Sequence, residues 1–122
     1  MTKGNPRQAV DFAHLERYAM ADAALVNEVL AIFCDQAEVW GKQLDPAAPE
    51  QAWKDLAHSL KGSALSIGAF ALADECEAAE HGAKADIAER RKLAGYVRAA
   101  LDAALADIAD YLRARGPRTS RA

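Results

Sequence analysis

Cysteine is scarce in this chain: Cys34 and Cys76 are the two among 122 residues. Two thiols make no disulfide framework, and both fall inside helical patterns rather than in facing loops. Reduced thiols are expected, Cys76 as a small core residue and Cys34 on a helix flank with partial exposure. Aromatic residues make up 7% of the chain and proline occurs four times, in a composition rich in alanine, which favours helices over strands. No stretch approaches the roughly 20 apolar residues that a membrane crossing needs. Met1-Thr2-Lys3-Gly4-Asn5-Pro6 leads into no signal-peptide apolar segment, so a cytoplasmic location is expected. There is no excess of positive charge either. Fifteen Lys and Arg stand against 18 Asp and Glu, a net charge of −3, which excludes general attraction to nucleic acid or to an anionic membrane. The three histidines, His14, His58 and His81, form no CxxC, HxxxH or HExxH pattern with each other or with the cysteines, so no metal site is expected. A P-loop and a glycine-rich nucleotide fold are also missing, and 13.1 kDa leaves no room for an ATP-binding domain. The chain is therefore not expected to be a kinase by itself.

What the sequence does contain is helical periodicity. Asp11 is a suitable N-cap for a short helix carrying Phe12, Leu15 and Tyr18. Asp22 caps a second helix with Leu25, Val29, Phe33, Gln36, Trp40 and Leu44 at helical spacing, stopped by Asp45-Pro46. The stiff Pro46-Ala47-Ala48-Pro49 connection leads to a third helix beginning at Glu50 and ending near Gly68, which suits a C′ position. A fourth, from about Phe70 to Gly82, sets Leu72, Ala73, Cys76 and Ala79 against a polar face of Asp74, Glu75, Glu77 and Glu80. After Lys84-Ala85-Asp86 a long helix aligns Leu93, Val97, Ala100, Leu101, Ala104, Ile108 and Leu112 and is expected to end at Gly116-Pro117. Four long amphipathic helices with short connections predict an all-α, antiparallel up-down four-helix bundle with a short extra N-terminal helix. The expected division is a flexible start over 1–10, the bundle over 11–113 and a disordered basic tail over 114–122.

The third helix carries the chemistry. Trp53, Leu56, Ala57, Leu60, Ala64 and Ile67 mark its apolar stripe, and at about 100° per residue His58 lies about 140° from the stripe's centre, facing solvent. Lys54, Lys61 and Gly62 are its neighbours on that surface. A surface His beside a Lys is commonly a solvated face and nothing more; Gly62 sets this one apart. Glycine in a helix interior costs about 1 kcal/mol relative to alanine, and in an alanine-rich chain the empty turn beside an imidazole leaves room for a bulky group on the ring or for another protein's approach. Neutral imidazole is a nucleophile near pH 7, and Lys61 puts a cation where phosphoryl oxygens would sit.

His58-Ser59-Leu60-Lys61-Gly62-Ser63-Ala64, followed by Ile67-Gly68-Ala69, Leu72-Ala73 and Cys76-Glu77, resembles the signature of the histidine-containing phosphotransfer (HPt) domain, and the helical layout matches from about Asp11 to Leu112. The resemblance implies that His58 takes a phosphoryl group from the aspartyl phosphate of one response-regulator receiver domain and passes it to another. Lys61 then matches the phosphoryl-stabilising lysine and Gly62 the clearance glycine. Glu80 stands at the offset of the residue that orients the imidazole, and Lys84 where some members carry an additional base. The protein is expected to be a phosphoryl carrier without a cofactor of its own, the Mg²⁺ belonging to the partner receiver.

Lys54, Lys61 and Lys84 would attract the acidic receiver site, and Leu65, apolar on a polar face, is a candidate docking contact. Expected partners are receiver domains and a hybrid or chemotaxis-type histidine kinase, with the bundle itself a monomer. Two alternatives stay open. The domain could receive phosphate directly from a chemotaxis-type kinase's ATP domain, or be a helical adaptor that binds without phosphate.

Overall fold

A computed structural model describes residues 9–121, with side chains up to Ala114. Five helices follow one another: α1 (Phe12–Tyr18), α2 (Ala23–Gln43), α3 (Glu50–Ile67), α4 (Phe70–His81) and α5 (Ile87–Arg121), and no strand occurs among the described residues. The two expected N-caps are in place. Asp11 accepts from the His14 N–H and Asp22 from the Leu25 N–H, each satisfying a donor that the first turn leaves unpaired. Gly68 ends α3 at φ +83, and a Cβ there would stand 2.7 Å from the Asp11 carbonyl oxygen, so only glycine fits. The chain turns within Gly68 and Ala69 and sends α4 back along α3. These two helices share the most extensive interface; α5 packs on α4, and α2 closes the bundle against α3 and α5, while α1 touches α2 and α3 at one end.

The core is one cluster in which Leu15, Val26, Leu30, Phe33, Trp53, Leu60, Ile67, Leu72, Cys76, Val97, Leu101 and Ile108 are buried. Alanines at 37, 57, 64, 73, 79 and 104 fill the places where helices approach closely. As expected, Cys76 is buried and Cys34 only partly so. Burial pushes the Cys76 thiol up from 9.0 to about 12, and burial ahead of the neighbouring Asp35 and Glu38 raises that of Cys34.

Four expectations are corrected. On α2 the buried row is Val26, Leu30, Phe33 and Ala37, whereas Leu25 and Gln36 face outward. Two adjacent apolar rows run along this helix, and the one containing small Ala37 allows the closer approach. Tyr18 is exposed rather than packed under α1. The flexible start expected over 1–10 is too long at its end: Val10 is buried, and the Ala9 and Val10 amides both donate to Asp107 Oδ2, the latter at 3.2 Å. Residues 1–8 lie outside the described residues. Finally, α5 continues past Gly116-Pro117 to Arg121. Proline removes one intrahelical bond, to residue 113, but leaves later turns their own bonds to make. The expected tail over 114–122 falls, beyond Ala114, on side chains outside the description.

Candidate functional site

His58 sits on the outward face of α3, its side chain 68% exposed, because the buried row of that helix is Trp53, Ala57, Leu60, Ala64 and Ile67. Glu80 reaches it from the last turn of α4. Glu80 Oε2 lies 3.2 Å from His58 Nδ1, while Oε1 lies 3.6 Å from Lys61 Nζ. A carboxylate can only accept, so in the neutral imidazole this contact favours the tautomer with the proton on Nδ1, which leaves the lone pair on Nε2. The glutamate is the least accessible of the three side chains, 16% exposed against 25% for Lys61. It forms the floor on which the imidazole and the ammonium stand.

Gly62 follows on the same surface row. A Cβ built on it would meet nothing within 4 Å. No internal contact requires glycine there, in contrast to Gly68, where a Cβ would press on the Asp11 backbone. The open space lies outside the protein, beside the ring. Lys54, one turn before His58, is exposed, as is Leu65 one turn beyond Gly62. Lys84 is exposed in the α4–α5 connection, and no hydrogen bond or ion pair joins it to His58, Lys61 or Glu80. The structure therefore brings His58, Lys61, Gly62 and Glu80 together and leaves Lys84 apart.

Two grooves of about 320 Å³ each lie along the seam of α2 and α5, both lined by Gly41 and Arg98, and neither is lined by His58, Lys61, Gly62 or Glu80. Among the described residues no cluster of three or more His, Cys, Asp or Glu is arranged to hold a metal ion, and no helix is long and apolar enough to cross a membrane.

The comparison with family models decides the kinship: the Hpt domain model matches residues 28–111. The chain belongs to the Hpt domain family. The crystal structure of the histidine phosphotransferase ShpA from Caulobacter crescentus is similar to this Hpt domain at a TM-score of 0.74 and 46% sequence identity, over 91% of this chain and 97% of that one. No curated protein matches it.

Sequence reasoning missed two residues beneath the site of this Hpt domain. Trp53, read only as core, donates its indole N–H to the Ala79 carbonyl at 2.7 Å. Arg90, not singled out at all, is 6% exposed and lies over the Trp53 ring at 4.9 Å. A signal existed for Arg90: it stands three residues before Leu93 and seven before Val97, on the buried row of α5.

Proposed function

We propose that His58 is the phosphoacceptor of this protein and that it relays a phosphoryl group between receiver domains. Phosphotransfer in two-component phosphorelays, in company with receiver domains and kinases, is the work of the Hpt family to which the chain belongs. The single observation that carries the assignment is the contact of Glu80 Oε2 with His58 Nδ1 on an otherwise open imidazole. With Nδ1 protonated, the Nε2 lone pair attacks the phosphorus of an aspartyl phosphate. The N–P bond forms as the P–O bond to the aspartate breaks, and the aspartate leaves as carboxylate. The ring gains positive charge in this step, and Glu80 stabilises it through the proton on Nδ1. Transfer to the next receiver reverses the same bonds.

Lys61 supplies positive charge to the phosphoryl oxygens and, between transfers, holds the second oxygen of Glu80. Gly62 leaves the approach to the ring clear. Lys54 and Leu65 border the face on which the receiver docks; Lys84 adds long-range attraction from the neighbouring connection rather than a contact. The Mg²⁺ that receiver chemistry uses belongs to the receiver. The carrier acts as a monomer in the cytoplasm.

The Glu80 contact also suits direct phosphorylation by a chemotaxis-type kinase, since an oriented imidazole attacks either donor. Incubating the protein with a phosphorylated receiver, and separately with a kinase and ATP, separates the two. Rapid acid-labile labelling from the receiver supports the relay; labelling from kinase and ATP alone favours the second donor. Labelling of His58→Gln by either would remove His58 from its role.

A further inference from the structure

Glu80 occupies an awkward place for a residue that must orient an imidazole. It is the next-to-last residue of α4, and the final carbonyls of a helix lack intrahelical partners, so helix ends fray. A side chain on a frayed turn would not hold His58 Nδ1 at 3.2 Å. Here that turn is pinned on both sides of Glu80. The carbonyl of Ala79, the residue before it, accepts from Trp53 Nε1 at 2.7 Å as well as from the Gly82 N–H. The carbonyl of Ala83, just beyond, accepts from Arg90 Nη2 at 2.7 Å. The same guanidinium donates through Nη1 to the carbonyls of Pro46 and Ala48, and it lies over the Trp53 ring. One buried cation thus joins the α2–α3 connection, the indole of α3 and the end of α4.

We propose that Trp53 and Arg90 are positioning residues for phosphotransfer: together they fix the last turn of α4 so that Glu80 meets the His58 imidazole. Trp53 stands five residues before His58 on α3, so its bond to Ala79 sets the register between the helix carrying the nucleophile and the one carrying its orienting carboxylate. Arg90 fixes the indole plane from above and the helix end from beyond. A buried guanidinium costs much desolvation and is commonly no gain in stability over an apolar side chain, which agrees with a role in placing groups. This inference rests on the assignment of His58 as phosphoacceptor.

A double-mutant cycle on the full chain tests it. Trp53→Phe keeps a ring under Arg90 but removes the N–H that Ala79 accepts. Phosphotransfer from a phosphorylated receiver should slow by about threefold to tenfold, the worth of one hydrogen bond. In a Glu80→Ala background the same Trp53→Phe change should have no further effect, because there is no carboxylate left to misplace. The ¹⁵N signals of the His58 ring should show the Nδ1–H tautomer losing population in Trp53→Phe and in Arg90→Met. Should Arg90→Met fail to fold, the Trp53→Phe cycle stands alone. An equal slowing by Trp53→Phe in both backgrounds, or an unchanged tautomer population, overturns the proposal. His58→Gln, run alongside, separates the two levels: loss of labelling there with an additive cycle defeats only the positioning role, whereas retained labelling defeats the His58 assignment itself.

Discussion

Gly62 separates stability from function. Since a Cβ on it would meet nothing within 4 Å, Gly62→Ala meets no steric penalty and gains the whole difference in helix propensity, about 1 kcal/mol. For a domain of this length that corresponds to a rise in melting temperature of about 4 °C. Gly95 in α5 has the same open surroundings and should show the same rise when changed to Ala, with no change in phosphotransfer. Gly68 behaves in the opposite sense: at φ +83, with Asp11 against its Cβ position, Gly68→Ala should lose about 2 kcal/mol. Against these controls, Gly62→Gln is the informative variant. Its side chain rises from a position one turn from the imidazole, about 5–6 Å between Cβ atoms. It fills the space that an incoming phosphoryl group and its receiver need. Transfer should fall at least about tenfold while the melting temperature stays at or above that of the parent. Thermal denaturation followed by circular dichroism, with radiolabel transfer measured on the same preparations, reads both quantities. Transfer by Gly62→Gln at the parent rate would refute the clearance argument. A lower melting temperature for Gly62→Ala would refute the open geometry itself.

Three further outcomes are expected. Folding raises the Cys76 thiol from 9.0 to about 12, so the folded state keeps a proton that the unfolded chain loses. Stability is therefore fully present below pH 9 and falls as pH rises toward 12; the urea midpoint should decline across that window and decline less in Cys76→Ala. Asp107→Ala releases the amides of Ala9 and Val10 and should cost about 2 kcal/mol in urea unfolding, with faster hydrogen exchange at Val10. Lys84→Ala should slow docking with a receiver at low salt only, the effect vanishing near 1 M salt, since Lys84 makes no hydrogen bond or ion pair with His58, Lys61 or Glu80; a salt-independent loss would mean that it touches the phosphoryl group.

The site was legible where a residue's role follows from its own helix. His58 faces outward because the stripe of α3 turns inward, and Gly62 stands out because glycine is costly in a helix interior; both follow from 3.6-residue periodicity. Gly68 and the aspartate caps were legible because helix ends need special residue types. Glu80 came through family resemblance, since no rule within one helix says which residue of α4 lies across from α3. The rest depends on tertiary choice. Two apolar rows compete on α2, and only the approach of α3 and α5 selects the one with Ala37. Arg90 follows the buried period of α5, but a charge on an apolar row is buried only where carbonyls converge on it, and those of Pro46, Ala48 and Ala83 come from two separate connections. Asp107 likewise acquires its work from a segment nearly a hundred residues away.

The most direct measurement is the chemical identity of the phosphorylated residue. After transfer from a phosphorylated receiver, ³¹P NMR of the intact protein together with mass mapping of the label should find one phosphohistidine, at His58 and bonded through Nε2, because Glu80 engages Nδ1. Phosphate on Nδ1 would contradict the orientation of the ring, and phosphate on any residue other than His58 would contradict the account as a whole.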